Sequence, residues 1–305
     1  MKNDGISLFE SMLKPPMRKM LHLLPASIRS RIKFYWAHHF LPDLRNPKRF
    51  SEWLHHRKMV DRDPRFAAFS DKVGAKALVA AMIGERYITP MLYHGPDLPA
   101  RIQRDWQVPF VVKGSFGCGM NYFVRSSSDL KWPEIERHIS DWRASNFHDY
   151  VCEFWYDKIE PQILIEPFIG QSDLLPVDYK FFVFGGQIAF AYAVSGRGTS
   201  KFAQDYFTAD WTPMDCSEGV PRSPIPPGPP KHLEDMLRIA RILGKDFDFV
   251  RVDLYEGPEG PLFGEMTFSP LGGYCRMLPD SLDRELGDLW HDARLHLSGQ
   301  ASLDP

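Results

Sequence analysis

An excess of charge of one sign is missing from this chain of 305 residues. Lys and Arg together number 37 and Asp and Glu 39, which gives a formal net charge of −2. Proteins that attract nucleic acid or an anionic membrane through their overall field carry a large positive excess. We therefore expect no nucleic-acid partner, and any site for a charged ligand must be local.

Cysteine is scarce as well, with four residues that form no CxxC pair. No histidines accompany them at the spacing of a zinc site. The pattern predicts free thiols in a reducing compartment and argues against structural zinc.

Long hydrophobic runs are also absent. The first 20 residues lack the apolar region of a signal peptide, and the longest uncharged run, "FFVFGGQIAFAYAVSG", contains a Gly-Gly turn. That run is shorter than the roughly 20 residues that a spanning helix requires. We expect a cytoplasmic protein without a transmembrane segment.

The residues that are present predict a packed protein of mixed α+β class. A hydrophobic content of 44% is enough for a full core shared between two or three subdomains. Apolar spacing predicts a helix through "DKVGAKALVAAMI", with Ser70 as its N-cap and Gly84 as its end, and a second helix over "HLEDMLRIARILG". The proline-rich "SPIPPGPPK" predicts an irregular surface connection.

Strands are predicted where apolar and β-branched residues cluster between turns. "PFVVK" and "MNYFVR" flank a glycine-rich turn, "QILIEPFI" has the pattern of a buried strand, and "YKFFVFGGQIAFAYAV" predicts two strands around Gly185 and Gly186.

A hairpin is predicted over "FVRVDLYEGPEGPLFGEMTFSP". If Glu256 pairs with Leu262 across the turn, then Asp253 faces Glu265. Facing carboxylates have Cβ atoms about 5 Å apart and repel each other, so a cation should lie between them. Oxygen ligands with room for water and phosphate suit Mg²⁺. A solvent-exposed hairpin whose acids face water is the alternative.

A second motif whose residues can bind a charged ligand is "PFVVKGSFGCGMN". It places Lys113 at a strand end, directly before Gly114, Gly117 and Gly119. Backbone amides without Cβ atoms can approach phosphate oxygens while the ammonium neutralises charge. The spacing matches neither a Walker A motif nor a Rossmann fingerprint, and a purely structural turn is the alternative. With the facing carboxylates, the motif favours a site for a nucleoside triphosphate.

These motifs resemble those of ATP-grasp enzymes, in which Arg-x-Asp is followed by Glu-x-Asn and Ser-Pro. A closer resemblance is to the TupA-like ATP-grasp family of bacterial cell-wall and capsule polysaccharide loci, over roughly residues 28 to 290. Six segments occur in the family's order: "NPKRFSEWLHHRK", "DKVGAKALVAAMIGERYITPML", "PFVVKGSFGCG", "PQILIEPFI", "DYKFFVFGG" and "FVRVDLYEGPEGPLFGEMTFSP".

The resemblance implies an ATP-grasp fold of α+β class, in which nucleotide lies between two α+β subdomains behind a helical N-terminal extension. Four segments follow from it. They are a basic and aromatic region (1–69), a preceding subdomain (70–109), a glycine-loop subdomain up to the hinge (110–170) and a metal-binding subdomain (171–305).

The resemblance also implies roles for single residues. Lys76 and Lys113 would hold the nucleotide phosphates. The loop over the phosphates would contain Gly114, Ser115, Gly117 and Gly119. Adenine would lie against the hinge of Glu166, Phe168 and Ile169, and Asp173 would contact the ribose. In the "DYKF" signature, Asp178 would contact the nucleotide and Lys180 would be a catalytic group, both near the phosphates or the acceptor.

For the metal, the resemblance implies Mg²⁺ bound by Asp253 and Glu265, with Arg251 steadying an acyl phosphate. Thr267 stands where the general pattern has Asn, and its hydroxyl can coordinate the ion or hold a water. The glycine loop also lacks the histidine that is common in relatives.

The implied activity is ATP- and Mg²⁺-dependent ligation of a carboxylate to an amine, with small-molecule or glycan-linked substrates. A sugar kinase on the same fold and a catalytically silent nucleotide-binding scaffold are the alternatives. Peripheral contact with a membrane polysaccharide assembly is compatible with all three alternatives, and the scaffold would be a member of such an assembly. Neither the acceptor nor the oligomeric state follows from the sequence.

Overall fold

The computed structural model describes residues 21, 23–145, 152–170 and 174–301, with the side chains of residues 300 and 301 excepted. Within these residues the chain forms α-helices and antiparallel strands in two sheets. The helices are α1 (Ala26–His38), α2 (Phe50–Met59), α3 (Arg65–Ser70), α4 (Gly74–Ile83), α5 (Trp132–Ala144), α6 (Leu233–Gly244) and α7 (Asp280–Ala301). No helix in this part of the chain is long and apolar enough to cross a membrane.

The two sheets are built from successive parts of the chain. The strands of the first sheet are β1 (Tyr93–Gly95), β2 (Phe110–Gly114), β3 (Asn121–Val124) and β4 (Ile163–Pro167). Those of the second are β5 (Asp178–Phe184), β6 (Gln187–Ser195), β7 (Ala203–Phe207), β8 (Val250–Gly257) and β9 (Gly260–Thr267). The first sheet has the strand order β1-β4-β2-β3, and the second has the order β7-β6-β5-β8-β9. The division of the chain into four segments stays a prediction.

The second sheet is covered on both faces, which explains why β5 is apolar over most of its length. Phe181 and Val183 point into the core cluster that contains the apolar side of α6. Phe182 and Phe184, on the opposite face, pack with residues of α2 and with Trp290 of α7. Successive side chains of a strand alternate between faces, so a strand buried on both sides carries apolar residues at consecutive positions.

The site is positioned by the start of β5. Asp178 and Lys180 occupy the same face as Phe182 but precede the part of the strand that the aromatic cluster covers. The first sheet packs against α5 through a smaller cluster that includes Phe110, Val112 and Ile135. Each sheet therefore has its own core.

The predicted strands and both predicted helices are present, but the start of α4 is wrong in the prediction. Ser70 ends α3 instead of capping α4, which begins at Gly74. The carboxylate of Asp71 accepts hydrogen bonds from the backbone N–H groups of Val73 and Gly74, both at 3.1 Å. Asp71 thus satisfies the first donors of the helix, a task that the prediction gave to Ser70.

The hairpin of β8 and β9 confirms that Asp253 faces Glu265. The predicted pairing at the turn is wrong, because Glu256 pairs with Pro261 and not with Leu262. The turn is one residue tighter than predicted, and a bulge after Asp253 adds one residue to β9. The two deviations cancel, so the carboxylates still meet.

Candidate functional site

Neighbouring strands bring the charged residues of the second sheet together. Lys180 of β5 lies directly opposite Asp253 of β8, which in turn lies opposite Glu265 of β9. Side chains that are directly opposite in a sheet point to the same face and are within contact distance. A cation from one strand is thereby held beside two acids from the next two strands.

Arg251 provides the positive charge between the facing acids in this structure. Its Nε donates to Asp253 Oδ1 at 2.7 Å and its Nη2 to Asp253 Oδ2 at 2.7 Å. The same Nη2 reaches Glu265 Oε1 at 3.2 Å and Thr267 Oγ1 at 2.9 Å. Thr267 also donates to Glu265 at 2.9 Å. One guanidinium therefore contacts all three residues predicted to bind the metal.

The contacts continue through Lys180 to a residue outside the predicted set. Lys180 Nζ contacts Asp253 and lies 2.8 Å from Asp178 Oδ2, which also accepts a bond from Arg197 Nη2 at 2.9 Å. We call this arrangement the charged row, which consists of Glu265, Arg251, Asp253, Lys180, Asp178 and Arg197. Three acids alternate with three bases in it, and the four inner members are buried.

Burying so many charges is costly, and apolar residues of similar volume are often at least as stable. Dense clusters of this kind are common at functional sites. Burial raises the pKa of Asp253 to about 6, against the opposing effect of Arg251 and Lys180. Partial burial raises the pKa of Glu265, but Lys180, Arg251 and Lys72 outweigh it and hold that pKa at about 2. Both groups are carboxylates at neutral pH.

The donor atoms at this end of the sheet fit a hard cation. Among the described residues, no cluster of three or more His, Cys, Asp or Glu side chains forms a closed metal site. The two carboxylates and the Thr267 hydroxyl supply a few oxygen ligands, and Arg251 Nη2 contacts all three residues. Few protein oxygens, with the remaining positions left to water and phosphate, are typical of Mg²⁺ sites.

A second cluster lies on the first sheet and joins the two predicted phosphate lysines. The Glu166 carboxylate forms ion pairs with Lys76 through one oxygen and with Lys113 through the other. Lys76 also donates to the Thr89 carbonyl at 2.7 Å. Burial raises the pKa of Glu166, but Lys113 and Lys76 more than offset this effect and lower it below its usual value. The two ammonium groups are therefore held next to each other.

The hinge residues are divided between two environments. The Glu166 side chain contacts the lysines, whereas Phe168 packs edge-on against Phe123, with ring centres 6.0 Å apart. The guanidinium of Arg125 lies 5.8 Å from the Phe168 ring centre. Ile169 is partly buried, and Asp173 lies outside the described residues. The adenine role of this segment stays a prediction.

The glycine-rich loop is fixed at its base and held at its crown. Ser115 is fully buried, and its N–H donates to the Gln162 carbonyl at 2.9 Å. Gly119 has a left-handed backbone with φ of 72°, and a Cβ there would meet nothing within 4 Å. The ammonium of Lys72 donates to the Gly117 carbonyl. Open space and bare backbone at this crown fit a phosphate-binding loop.

Lys72 and Arg197 are two members of the site that the sequence reasoning missed. Burial lowers the pKa of Lys72, and Glu265 of the second sheet and Lys113 of the first both act on it electrostatically, so charges of both clusters influence Lys72. The sequence contained a signal for Lys72, because this residue belongs to the same "DKVGAK" segment as Lys76. Arg197 is flanked by Gly196 and Gly198, both with positive φ, which was the local signal for a turn that presents a side chain.

A cavity of about 520 Å³ lies elsewhere, where α3 and α7 meet the turn before β8. None of the predicted site residues lines it. Its charged groups pair with one another, as Arg294 does with Asp61 and Asp248 and Arg65 does with Asp63. We place the candidate site at the two charged clusters, because the predicted metal-binding carboxylates and phosphate-binding lysines lie there.

Comparison with solved structures finds similar chains at low sequence identity. D-alanine–D-alanine ligase from Bacillus anthracis is 15% identical, with a TM-score of 0.45 over 77% of this chain and 71% of that one. The ATP-grasp ligase PsnB with its minimal precursor is 16% identical, with a TM-score of 0.40 over 76% of this chain and 62% of that one. The chain thus spans less than two thirds of PsnB. D-cycloserine synthetase DcsG is 14% identical, with a TM-score of 0.41 over 79% and 77%.

Comparison with curated proteins finds no match. A family model described as TupA-like ATPgrasp matches residues 52–291, which is more than half of the chain. The match spans both charged clusters and confirms the predicted ATP-grasp fold of α+β class. The chain belongs to the TupA-like ATP-grasp family.

Proposed function

We propose that this protein is an ATP-grasp ligase that joins a carboxylate to an amine with the use of ATP and Mg²⁺. The observation that carries the proposal is the contact of Arg251 with Asp253, Glu265 and Thr267. This contact places a guanidinium, which can bind a developing negative charge, next to oxygen ligands for a metal at one end of the second sheet. The lysine pair on Glu166 supplies the complementary phosphate site.

The residues for nucleotide binding come from the first sheet. Lys76 and Lys113 would bind phosphate oxygens, since Glu166 already holds their ammonium groups together. The loop between Gly114 and Gly119 would cover the phosphates with backbone N–H groups. Lys72 would fix that loop through its bond to the Gly117 carbonyl.

Asp253, Glu265 and Thr267 would hold Mg²⁺. The ion, when bound, neutralises negative charge on the phosphate oxygens. The chain's own contribution next to it is Arg251, which already lies within hydrogen-bond distance of all three residues. A guanidinium in this position can bind the substrate oxygen that gains charge during the reaction.

The proposed reaction has two steps. An oxygen of the substrate carboxylate attacks the γ-phosphorus, the bond to ADP breaks, and an acyl phosphate forms. The amine nitrogen then attacks the acyl carbon and loses a proton, and inorganic phosphate leaves as the amide forms. These transfers depend on positioning and on charge neutralisation, which Lys76, Lys113, Lys180 and Arg251 supply.

We extend the proposal to a cytoplasmic role in the assembly of capsule, exopolysaccharide or cell-wall polymers. The support for this extension is the family's association with polysaccharide loci. The carboxylate or the amine would then be a building block of the polymer, free or linked to a glycan.

A screen of carboxylate and amine pairs with the purified chain and Mg-ATP tests the proposal. We expect ADP release to require a carboxylate, and a stoichiometric amide to appear only when an amine is present. Arg251→Ala should lower turnover far more than ATP affinity, because its contact matters most in the transition state. Arg241→Ala, on the exposed side of α6, is the matched control.

Two results would contradict the proposal. ADP formed together with a phosphorylated sugar, without any need for an amine, identifies a kinase. ATP binding without turnover across the whole panel identifies a silent scaffold.

A further inference from the structure

Helix α1 is amphipathic in the reverse of the usual orientation. Its buried residues are mostly polar and comprise Arg29, Ser30, Lys33, Phe34 and His38. On its other side, Ile28, Tyr35 and Trp36 are 48%, 51% and 56% exposed. A helix at the surface of a globular protein normally buries its apolar side and exposes its charged side. The apolar side of α1 therefore requires an explanation.

Hydrogen bonds fix α1 in this orientation. Ser30 Oγ lies 2.7 Å from the hydroxyl oxygen of Tyr274, and His38 Nε2 donates to the Gly273 carbonyl at 2.9 Å. Phe34, one helical turn from each of them, is fully buried on the same side. The polar side of α1 is thus bound to the segment that follows β9. Rotation of the helix to bury its apolar side would break these bonds.

The exposed apolar residues lie on one side of the helix. Tyr35 and Trp36 follow Ile28 by seven and eight positions, which is about two helical turns. We call these three residues the outer face of α1. Leu23 before the helix and Leu41 after it are 85% and 69% exposed. Exposed apolar residues that cluster in this way, unlike single ones, mark a surface of interaction.

The charge of the chain around α1 indicates what this surface binds. Residues 11–42 contain six Lys and Arg residues and no Asp or Glu, although acids outnumber bases in the whole chain. Arg31 is exposed and lies one helical turn from both Ile28 and Tyr35. A segment with this charge is attracted to anionic lipids.

A second copy of the chain complements this surface less well. In a two-fold dimer the same surface of both copies meets, so two basic segments would lie together and repel each other. Tyr and Trp, in contrast, prefer the boundary between lipid headgroups and acyl chains. Helices that lie flat in this boundary combine such apolar residues with Lys and Arg. The composition of α1 and its surroundings therefore favours a lipid surface.

We propose that the outer face of α1 docks this protein on an anionic membrane surface. Ile28, Tyr35 and Trp36 enter the headgroup layer, and Arg31 contacts lipid phosphates. The helix lies on the membrane and does not cross it. This surface is separate from the two charged clusters, so the inference does not depend on the ligase reaction.

Sedimentation of the full chain with lipid vesicles tests the docking. One set of vesicles consists of phosphatidylcholine, and the other of phosphatidylcholine and phosphatidylglycerol in equal parts. We expect the wild type to sediment with the anionic vesicles only, and to be released at high salt. The triple variant Ile28→Gln, Tyr35→Gln, Trp36→Gln should bind about tenfold or more weakly, because its apolar contact is lost. Arg31→Gln should bind about fivefold more weakly.

The matched control is the double variant Ile102→Gln, Ile225→Gln. These isoleucines are 94% and 85% exposed and lie outside α1, so the variant should bind like the wild type. Far-UV circular dichroism checks that each variant is folded. If the triple variant is not folded, Ile28→Gln and Tyr35→Gln are tested singly, and each should weaken binding by about threefold or more.

Four results would overturn the inference. They are no binding of the wild type to anionic vesicles, equal binding to phosphatidylcholine alone, and undiminished binding of folded outer-face variants. The fourth is a wild-type dimer in sedimentation velocity that these variants dissociate, without vesicle binding, which would assign the outer face to a second copy. Amide formation is assayed without vesicles, so failure of the docking and failure of the ligase function are distinguishable.

Discussion

In the proposed function, the buried acid Glu166 would prepare a site for phosphate. Two ammonium groups in proximity repel each other, and the carboxylate between Lys76 and Lys113 offsets that repulsion before any ligand binds. A phosphate group that arrives at the lysines meets cations that are already in position. The buried position of Glu166 in β4 makes this arrangement part of the fold.

Lys113→Ala should weaken ATP binding or turnover by about tenfold or more, since one of two charge-assisted phosphate contacts is lost. The fold should remain, because the Lys113 side chain is 28% exposed and Lys76 still pairs with Glu166. Nucleotide titration and far-UV circular dichroism check the two parts. Lys131→Ala, an exposed lysine before α5, is the control. Unchanged affinity and turnover in Lys113→Ala would assign the loop a structural role only.

The burial of His55 predicts that the unfolding free energy of the protein decreases at acid pH. The residue is fully buried in α2, beside Ser30 and Phe34. Burial, reinforced by Lys58 and His38, lowers its pKa from 6.5 to about 2. In the unfolded chain the imidazole takes up a proton below pH 6.5, while in the folded chain it stays neutral. The unfolded state then binds more protons, so the unfolding free energy decreases as the pH falls.

The expected size of this effect is about 1.4 kcal/mol for each pH unit below 6.5. Chemical denaturation at a series of pH values should show this loss in the wild type relative to His55→Gln. His94→Gln, an exposed histidine in β1, should follow the wild type. Parallel curves for the wild type and His55→Gln would show that His55 is protonated alike in both states.

At the scale of elements, the bulge in β9 decides where Glu265 points. A bulge shifts the register by one residue, and a shift of one residue turns a side chain to the other face of the sheet. Gly264 lies at this bulge. A Cβ there would lie 2.9 Å from the Asp253 carbonyl oxygen and 2.9 Å from the ring of Tyr255.

Gly264→Ala should therefore push β9 away from β8 and displace Glu265 from Arg251. We expect a loss of about 1–3 kcal/mol in unfolding free energy, as for other overpacked sites, and a smaller stabilisation by Mg-nucleotide. Gly228→Ala is the matched control, since a Cβ there meets nothing within 4 Å. Equal stability and equal metal response in the two variants would show that the bulge does not set the site.

The elements that the sequence predicted correctly are those with a strong local pattern. Alternating and continuous apolar runs marked β2, β5 and β8, and helical spacing marked α6. The start of α4 was predicted wrongly because Asp71 and Ser70 are both good capping residues, and only the folded chain shows which carboxyl or hydroxyl reaches the free N–H groups. The bulge was hidden because a tighter turn compensated for it.

The site was predictable to the extent that its residues lie in short motifs. Asp253 facing Glu265 followed from strand alternation, and Lys113 followed from the glycines after it. The pairing of Glu166 with Lys76 joins residues 90 positions apart and has no local signal. The same holds for Arg197 with Asp178, which are brought together by a turn at the end of β6. Contacts of this kind depend on tertiary structure.

At the scale of the whole molecule, the proposed function requires the two sheets to carry complementary halves of one site. Arg251 forms ion pairs with both Asp253 and Glu265 in the protein itself. Because Mg²⁺ held by these carboxylates would bind the folded chain and not the unfolded one, Mg²⁺ with nucleotide should raise the melting temperature more than nucleotide with chelator. A ligand at a hundred times its Kd stabilises by about 2.7 kcal/mol. Equal melting temperatures with and without metal would count against the paired-carboxylate site.

The most direct measurement follows a carboxylate oxygen through the reaction. The wild-type chain is given Mg-ATP, an amine and a carboxylate labelled with ¹⁸O, and the inorganic phosphate is analysed by mass spectrometry. If the carboxylate attacks the γ-phosphorus and the amine later displaces phosphate from the acyl carbon, each phosphate carries one oxygen from the carboxylate. Phosphate without label, phosphate retained on a sugar, or no phosphate with any carboxylate and amine pair would contradict the account.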